Sequence, residues 1–563
     1  MYLKGKAHQA GGEKERAIDL FLKVYSSDPG SQASALAERA LLSLFPGALS
    51  GGRNYGARLQ RAESLLNAGD ARKARALLLA LAHAAAPDAV SRDKRNLLFG
   101  EAEYRLGRAL NALAYLRRVT GADPTLHARA IYLQGACHRR LEKEESLIAA
   151  RDRALKLYPD SPDTEELCYS VAAYFDVKND ARALEAYRTL QRFFPRGRYA
   201  ERALWKLALF AYVNKSYGEA ALGFSNILFA NPRPQPAAPA VYWMGRCYEN
   251  LGDAEKARYL YGRARALAND RYYGQKAREA EAGLGDAGGK TAFIAGVDFA
   301  RIVRTCDAIR HEPLSLSAPG QAAAPIVERA NALWAADLTE FAVSELQWGS
   351  RLHPTEARAL KYMMSRIFAS RENHLQAIST LRKLVPDYIS RPMWSLPDEV
   401  RRLLFPVRYW SFVASQAERT GTDPMLILGL IRQESAFDAK ARSRSNARGL
   451  MQILPSTGRT LARAARIRNY NAAKLFDPEI NILLGTRHLT SLLKRYGSTE
   501  LALAAYNAGS SRVDRWVSLF GREDPAQFVE QIPFGETRNY VKQVLSNKVF
   551  YELTRSSSGG GGR

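Results

Sequence analysis

The sequence predicts a mainly all-α protein, and three observations carry that expectation. Apolar residues recur three and four positions apart along the chain, as in Ala183, Ala186, Tyr187, Leu190 and Phe194, which is the spacing of one helix face. Prolines punctuate the first half at a near-constant interval, with Pro87, Pro124, Pro159, Pro195 and Pro232 separated by 37, 35, 36 and 37 residues. Gly69, Gly107 and Gly252 each fall about 17 residues before such a slot, where the two helices of a hairpin would turn.

The prolines follow amphipathic stretches such as Ala154-Leu155-Lys156-Leu157-Tyr158, so each marks a helix stop. The next slot holds Asn269, and Pro29, after Ala17-Ile18-Asp19-Leu20-Phe21, marks a unit slightly out of phase. A period near 34 with this pattern resembles tetratricopeptide-type repeats, somewhat lengthened. Stacked helix pairs of this kind share one continuous core. Tyr242-Trp243 and Tyr259 to Tyr261 are expected in that core rather than on a ligand platform. The pattern breaks at Gly283–Gly289 and Ala318–Pro325, then resumes with Ala342-Val343-Leu346 and Ala377-Ile378-Leu381-Leu384.

Composition narrows the function classes. Lys and Arg number 82 against 57 Asp and Glu, a net charge of +25 that favours anionic partners. The cations are interspersed with acids and no zinc-finger, RNP or basic-zipper pattern occurs, so nucleic acid is not expected. The apolar run from Ala76 to Ala86 is interrupted by His83 and falls short of the roughly 20 residues that a membrane span needs. Cys137, Cys168, Cys247 and Cys306 are too far apart for a metal or redox motif, and each is expected in a small apolar slot on a helix. Met1-Tyr2-Leu3-Lys4 does not open a signal peptide. The tail from Ser556 is low in complexity and is set apart from the fold.

Chemistry concentrates in the last 150 residues. Asp423-Pro424 is a helix start, and the apolar stripe Ile427, Leu430, Ile431 continues into Glu434. A carboxyl among apolar groups has its charged form disfavoured, so it can hold a proton near neutral pH and act as a general acid. From the helix alone, Glu434 at a polar boundary beside an arginine is the favoured reading.

The segments Gln433-Glu434-Ser435-Ala436-Phe437, Gly449-Leu450-Met451-Gln452-Ile453-Leu454-Pro455, Phe476-Asp477-Pro478-Glu479-Ile480-Asn481-Ile482, Ala504-Ala505-Tyr506-Asn507-Ala508-Gly509 and Ile532-Pro533-Phe534-Gly535-Glu536-Thr537-Arg538-Asn539-Tyr540-Val541 occur in this order. Together they resemble the catalytic domain of the soluble lytic transglycosylases, which cleave bacterial peptidoglycan. The resemblance implies an α-superhelical repeat domain over 1–339, a helical linker domain over 340–402 and a lysozyme-like α(+β) catalytic domain over 403–555, with 556–563 as tail. By motif, Glu434 is implied as the single catalytic acid and base, and Ser435 as positioning it or the substrate N-acetyl group. Met451 and Gln452 are implied to line the glycan groove, Tyr506 to sit near the carboxyl, Asn507 to contact sugar, and Glu536 and Tyr540 to form the far wall. Tyr506 also reads as core, Met451 as a gap-filler and Glu536 as a helix-terminus carboxylate. Where the family has Gly-Ala before the Gly-Leu-Met-Gln motif, this chain has Asn446-Ala447-Arg448, and Asn is expected to keep the left-handed turn.

Most glycosidases use two carboxylates. The resemblance implies one: Glu434 protonates the oxygen between N-acetylmuramic acid and N-acetylglucosamine, then takes a proton from the muramoyl 6-hydroxyl as it attacks C1. A 1,6-anhydromuramoyl end results, with no metal or cofactor expected. The alternatives are a goose-type lysozyme-like hydrolase and a non-catalytic peptidoglycan-binding scaffold. The substrate implies a periplasmic enzyme whose leader has been removed, with protein partners on the superhelical arm possible and no membrane span. Residues 401–555 hold 24 Lys and Arg against 13 Asp and Glu, so the basic excess is densest there, which suits a substrate whose peptide stems bear carboxylates.

Overall fold

The computed structural model describes residues 1–558 except 51, 269–270, 286–290, 312–313, 315, 317 and 390. Among the described residues every regular element is a helix, and the β content reduces to the isolated bridges Arg442–Arg448 and Arg448–Ile453. The all-α expectation therefore holds, with the β part of the C-terminal region confined to one loop. Two compact units span 1–206 and 207–563.

In the first unit consecutive helices form antiparallel pairs, such as Tyr55–Asn67 with Ala71–Ala82 and Ala89–Arg105 with Ala109–Leu116. Each pair turns at a residue with positive φ. Gly69 (φ 84°) and Gly107 (φ 85°) fill this slot, but Glu142 (φ 54°) and Asn179 (φ 55°) fill the next two. In the second unit Lys215 (φ 62°), Gly252 (φ 83°), Asp337 (φ 66°) and Glu372 (φ 58°) continue the series. The slot is thus set by hairpin geometry, and glycine fills only some of its occurrences, which is why the sequence exposed it three times.

The spaced prolines lie between pairs. Pro87, Pro159, Pro195 and Pro232 occupy the connections, and Pro124 opens the helix Pro124–Arg140, where its missing N–H costs nothing. Asn269, the expected next slot, lies outside the described residues. Tyr242, Trp243, Leu260 and Tyr261 are buried while Tyr259 is only partly so, and all four cysteines are buried, each on a helix. Ala323, Ile326, Ala330, Ala342, Val343, Leu346, Leu360 and Ile367 form one apolar cluster. It crosses the expected boundary at 339–340.

In the C-terminal part the helix Pro424–Ser435 is enclosed, with every residue from Met425 to Arg432 buried. It lies against Gly535–Ser558, and Gly429 is a point of close approach: a Cβ there would stand 2.9 Å from Lys548 N and 3.0 Å from Val544 O. Asn547 locks the crossing by donating to Gly429 O at 3.2 Å and accepting from Arg432 Nη1 at 2.8 Å. Arg432 in turn donates to Leu404 O at 2.7 Å and lies over the Phe405 ring. Replacing Gly429 by Ala is expected to force these helices apart and cost about 1–3 kcal/mol, read as a lower urea midpoint with secondary structure retained.

Candidate active site

Glu434 sits in the last turn of Pro424–Ser435, which stops because Ala436 (φ 50°) and Phe437 (φ 67°) both adopt left-handed backbone. Two consecutive non-glycine residues in that region are strained, a feature held only where surrounding packing enforces it. The negative end of the helix dipole and the apolar walls both disfavour a carboxylate here. Burial pushes the Glu434 carboxyl up to about 7; the Tyr540 hydroxyl opposes that shift and the Glu536 charge adds to it. Tyr540 donates to Glu434 Oε1 at 2.6 Å. The sequence reading of an apolar stripe ending in a carboxyl is what the structure builds, although the residue keeps limited access to solvent.

The Gly-Leu-Met-Gln segment faces this helix end. Gly449 (φ 75°) is required twice over, since a Cβ would also collide with Leu475 O and the Asn481 side chain. Asn481 is completely buried and staples the loop: it accepts from Met451 N at 2.7 Å and donates to Arg448 O at 2.9 Å and Leu475 O at 2.6 Å. Ser435 donates to Leu450 O at 2.9 Å and to Ile431 O at 3.2 Å, tying the loop to the helix that bears Glu434. Its one hydroxyl proton is therefore committed to backbone carbonyls, an arrangement in keeping with a part in positioning Glu434.

Met451 departs from the expectation of a groove-lining side chain. It has no exposure and packs against Gly485, whose Cβ would strike its sulfur, so it stiffens the wall from behind. Gln452 (φ 49°) donates to Gly449 O at 2.8 Å and Ala441 O at 3.2 Å and so holds the loop's curvature. Asn446 keeps the left-handed turn at φ 66°. Arg448 is engaged by Ala472 O at 2.8 Å and lies over the Phe476 ring.

The opposite side comes from two other helices. Thr499–Ala508 carries Tyr506, whose hydroxyl donates to Met451 O at 2.8 Å and whose ring lies 5.2 Å from that of His488. Burial and the Glu434 charge both raise the Tyr506 and Tyr540 hydroxyls well above the usual phenol range, so both remain donors. Asn507 Oδ1 accepts from Thr537 at 2.8 Å, joining this helix to Gly535–Ser558. Glu536 is exposed in the first turn of that helix, where a carboxylate suits the helix N-terminus. Glu434, Tyr506 and Tyr540 thus converge, Ser435, Met451, Gln452 and Asn507 frame them, and Glu536 acts on Glu434 through its charge. Sequence reading passed over Asn481, Thr537 and His488; Asn481 and Thr537 stand inside segments already singled out, but nothing local marks which members of a motif point inward.

Helical-repeat architecture ending in a lysozyme-like domain, built around one proton-holding carboxyl, defines a class. Residues 411–529 match the Transglycosylase SLT domain, 531–556 the Soluble lytic transglycosylase helical domain, and 1–31 and 240–267 the Tetratricopeptide repeat. The chain is 38% identical over 150 residues to the soluble lytic murein transglycosylases of Salmonella typhimurium and Escherichia coli K12, a match covering 26% of this chain and 23% of each relative. It thus spans about a quarter of the length of these relatives. The 70-kDa soluble lytic transglycosylase of Escherichia coli superposes with a TM-score of 0.63 at 20% identity, over 98% of this chain and 80% of the other. A lytic transglycosylase Slt inactive mutant from Pseudomonas aeruginosa gives 0.61 at 19%, over 99% and 81%. The resemblance read from the motifs is therefore to the soluble lytic transglycosylases, in sequence over the C-terminal segment and in fold along nearly the whole chain.

A raised folded-state pKa means that the native protein binds the Glu434 proton more tightly than the unfolded chain does. This residue's contribution to stability is therefore full below the ordinary value near 4.5 and is lost as pH rises through about 7. Glu434→Gln, which cannot ionise, is expected to gain thermal stability over the wild type progressively across that window, with a constant difference above it, as read from melting curves at stepped pH.

Proposed function

We propose that this protein is a peptidoglycan lytic transglycosylase that cleaves the β-1,4 bond between N-acetylmuramic acid and N-acetylglucosamine without water. The observation that carries this reading is the Glu434 carboxyl, raised to about 7 and held by Tyr540. A carboxyl poised there donates a proton to a departing glycosidic oxygen and can take one back in the next step.

In the proposed sequence the glycan lies across Glu434, with Asn507 and Glu536 contacting sugar. Glu434 transfers its proton to the leaving oxygen as the C1–O bond breaks. The resulting carboxylate is stabilised by the Tyr540 hydroxyl as the oxocarbenium-like charge develops. It then removes the proton from the muramoyl 6-hydroxyl, whose oxygen bonds to C1, and the acid is regenerated with a 1,6-anhydro end formed. Glu536 sits exposed in the first turn of Gly535–Ser558, away from the buried setting of Glu434, which suits it to binding more than to proton transfer.

As a domain division we propose a repeat domain, a helical linker and a catalytic domain over 403–555, with 556–563 as tail. The family matches over 411–556 support the last. For the boundary first placed at 339–340, the apolar cluster from Ala323 to Ile367 favours a linker that starts before Gln321. The peptidoglycan substrate implies a periplasmic location, and among the described residues no helix is long and apolar enough to cross a membrane.

Digestion of purified peptidoglycan is expected to release muropeptides lighter by one water than reducing-end products, as read by mass spectrometry. Glu434→Gln should lower the rate by about 10²–10⁴-fold or more while glycan binding persists; near-normal turnover by this variant overturns the assignment. Because the acid form is the active one, the rate should fall as pH rises through about 7. Tyr540→Phe removes the bond that holds the carboxyl down, so the alkaline limb should move to higher pH.

A further inference from the structure

One helix of the repeat region grips both helices that carry the tyrosines of the site. This helix, Tyr272–Gly283, packs beside Ala254–Ala268, the second member of the preceding helical pair. Its Tyr273 hydroxyl donates to the buried carboxylate of Glu530, on Pro525–Gln531, and accepts from Lys542 Nζ at 2.7 Å. Lys542 also pairs with Glu530, so three groups from three elements close one cluster. Lys542 stands two residues beyond Tyr540 on Gly535–Ser558. Residues two apart on a helix face nearly opposite ways, so one turn of this helix points Tyr540 at Glu434 and Lys542 at the repeat region.

The same gripping helix reaches the other tyrosine. Lys276 Nζ pairs with Glu500 Oε1 at 2.6 Å, and Glu500 is nearly buried in the first turn of Thr499–Ala508, the helix that bears Tyr506 and Asn507. Further along, Tyr272 N donates to Ser546 Oγ at 3.3 Å. From the preceding helical pair, Arg246 pairs at 2.8 Å with Asp524, the residue that caps Pro525–Gln531.

We propose that Tyr273, Lys276, Glu500, Glu530 and Lys542 are positioning residues for the reaction, fixing the two tyrosine-bearing helices against Glu434 from the repeat region. None of the contacts described for them reaches Glu434, and each acts through another residue. The demand on them is geometric: a shift of about 1 Å in a catalytic group can cost on the order of 10²-fold in rate, and the Tyr540–Glu434 bond at 2.6 Å has little slack. The repeat region is then part of the support of the site as well as an arm joined to it. This inference rests on the assignment of Glu434 and Tyr540 to the reaction.

The test uses the full-length chain and purified peptidoglycan. The wild-type product is first weighed: anhydro ends uphold the function on which the positioning role rests, and their absence sinks that function whatever the variants do. Tyr273→Phe keeps the ring and removes the hydroxyl joining Glu530 to Lys542. It is expected to lower kcat by about 5–20-fold, to leave KM within about twofold, and to displace the alkaline limb of the pH profile. Lys276→Glu is expected to lower kcat similarly, and the exchange Lys276→Glu with Glu500→Lys to restore it. The proposal is overturned if folded Tyr273→Phe retains wild-type kcat and pH limb, or if the loss in each variant is accounted for by the fraction unfolded. Should Tyr273→Phe fail to fold, the charge exchange decides alone: recovery of kcat supports the positioning role, and no recovery in a folded double variant contradicts it.

Discussion

The hydrogen bond from Tyr540 to Glu434 is the constraint on which the rest of the C-terminal region depends. It joins residues 106 positions apart in sequence, one at the end of a helix enclosed on nearly all sides and the other on a helix with two buried faces. Burial alone would push the carboxyl upward without limit on its orientation. The phenol fixes one oxygen, moderates the shift and leaves the acid close to neutral pH, where a proton can move in either direction. Gly429 brings the two backbones close enough for this bond, and Asn547 with Arg432 holds them at that separation.

The loop opposite Glu434 is maintained by a different economy. Its left-handed residues Gly449 and Gln452 bend the backbone sharply, and Asn481, Ser435, Tyr506 and Gln452 satisfy the amides and carbonyls which that bend leaves over. Unpaired groups at such depth would each cost about 1–3 kcal/mol, so these four side chains hold the loop in its shape. That accounts for a feature which motif reading could not supply: several residues grouped with Glu434 by sequence reach backbone instead of an open surface.

Much of this was legible in the chain. The helical spacing of Ala183, Ala186, Tyr187, Leu190 and Phe194 put all five in the interior, and the proline interval marked the joints between pairs. The stripe from Ile427 to Glu434 located the carboxyl on a buried helix, and Asn446 kept the turn for which glycine is the usual residue. Hidden from the sequence were contacts made across long separations. Nothing local shows that Met451 would turn fully inward, that Asn481 would bond three segments, or that Tyr273 would meet Glu530 and Lys542 some 260 residues later. Hairpin turns at Glu142 and Lys215 were hidden for a different reason, because the hairpin sets a positive φ there that these side chains do not announce.

The most direct measurement of whether Glu434 serves as both acid and base, with the sugar's own hydroxyl as nucleophile, is cleavage of purified peptidoglycan in heavy-oxygen water. If the proton returns from the 6-hydroxyl, the new ends contain no heavy oxygen and remain anhydro. One heavy oxygen per cut would show that water attacks C1, and would replace the single-carboxyl transglycosylase with a hydrolase.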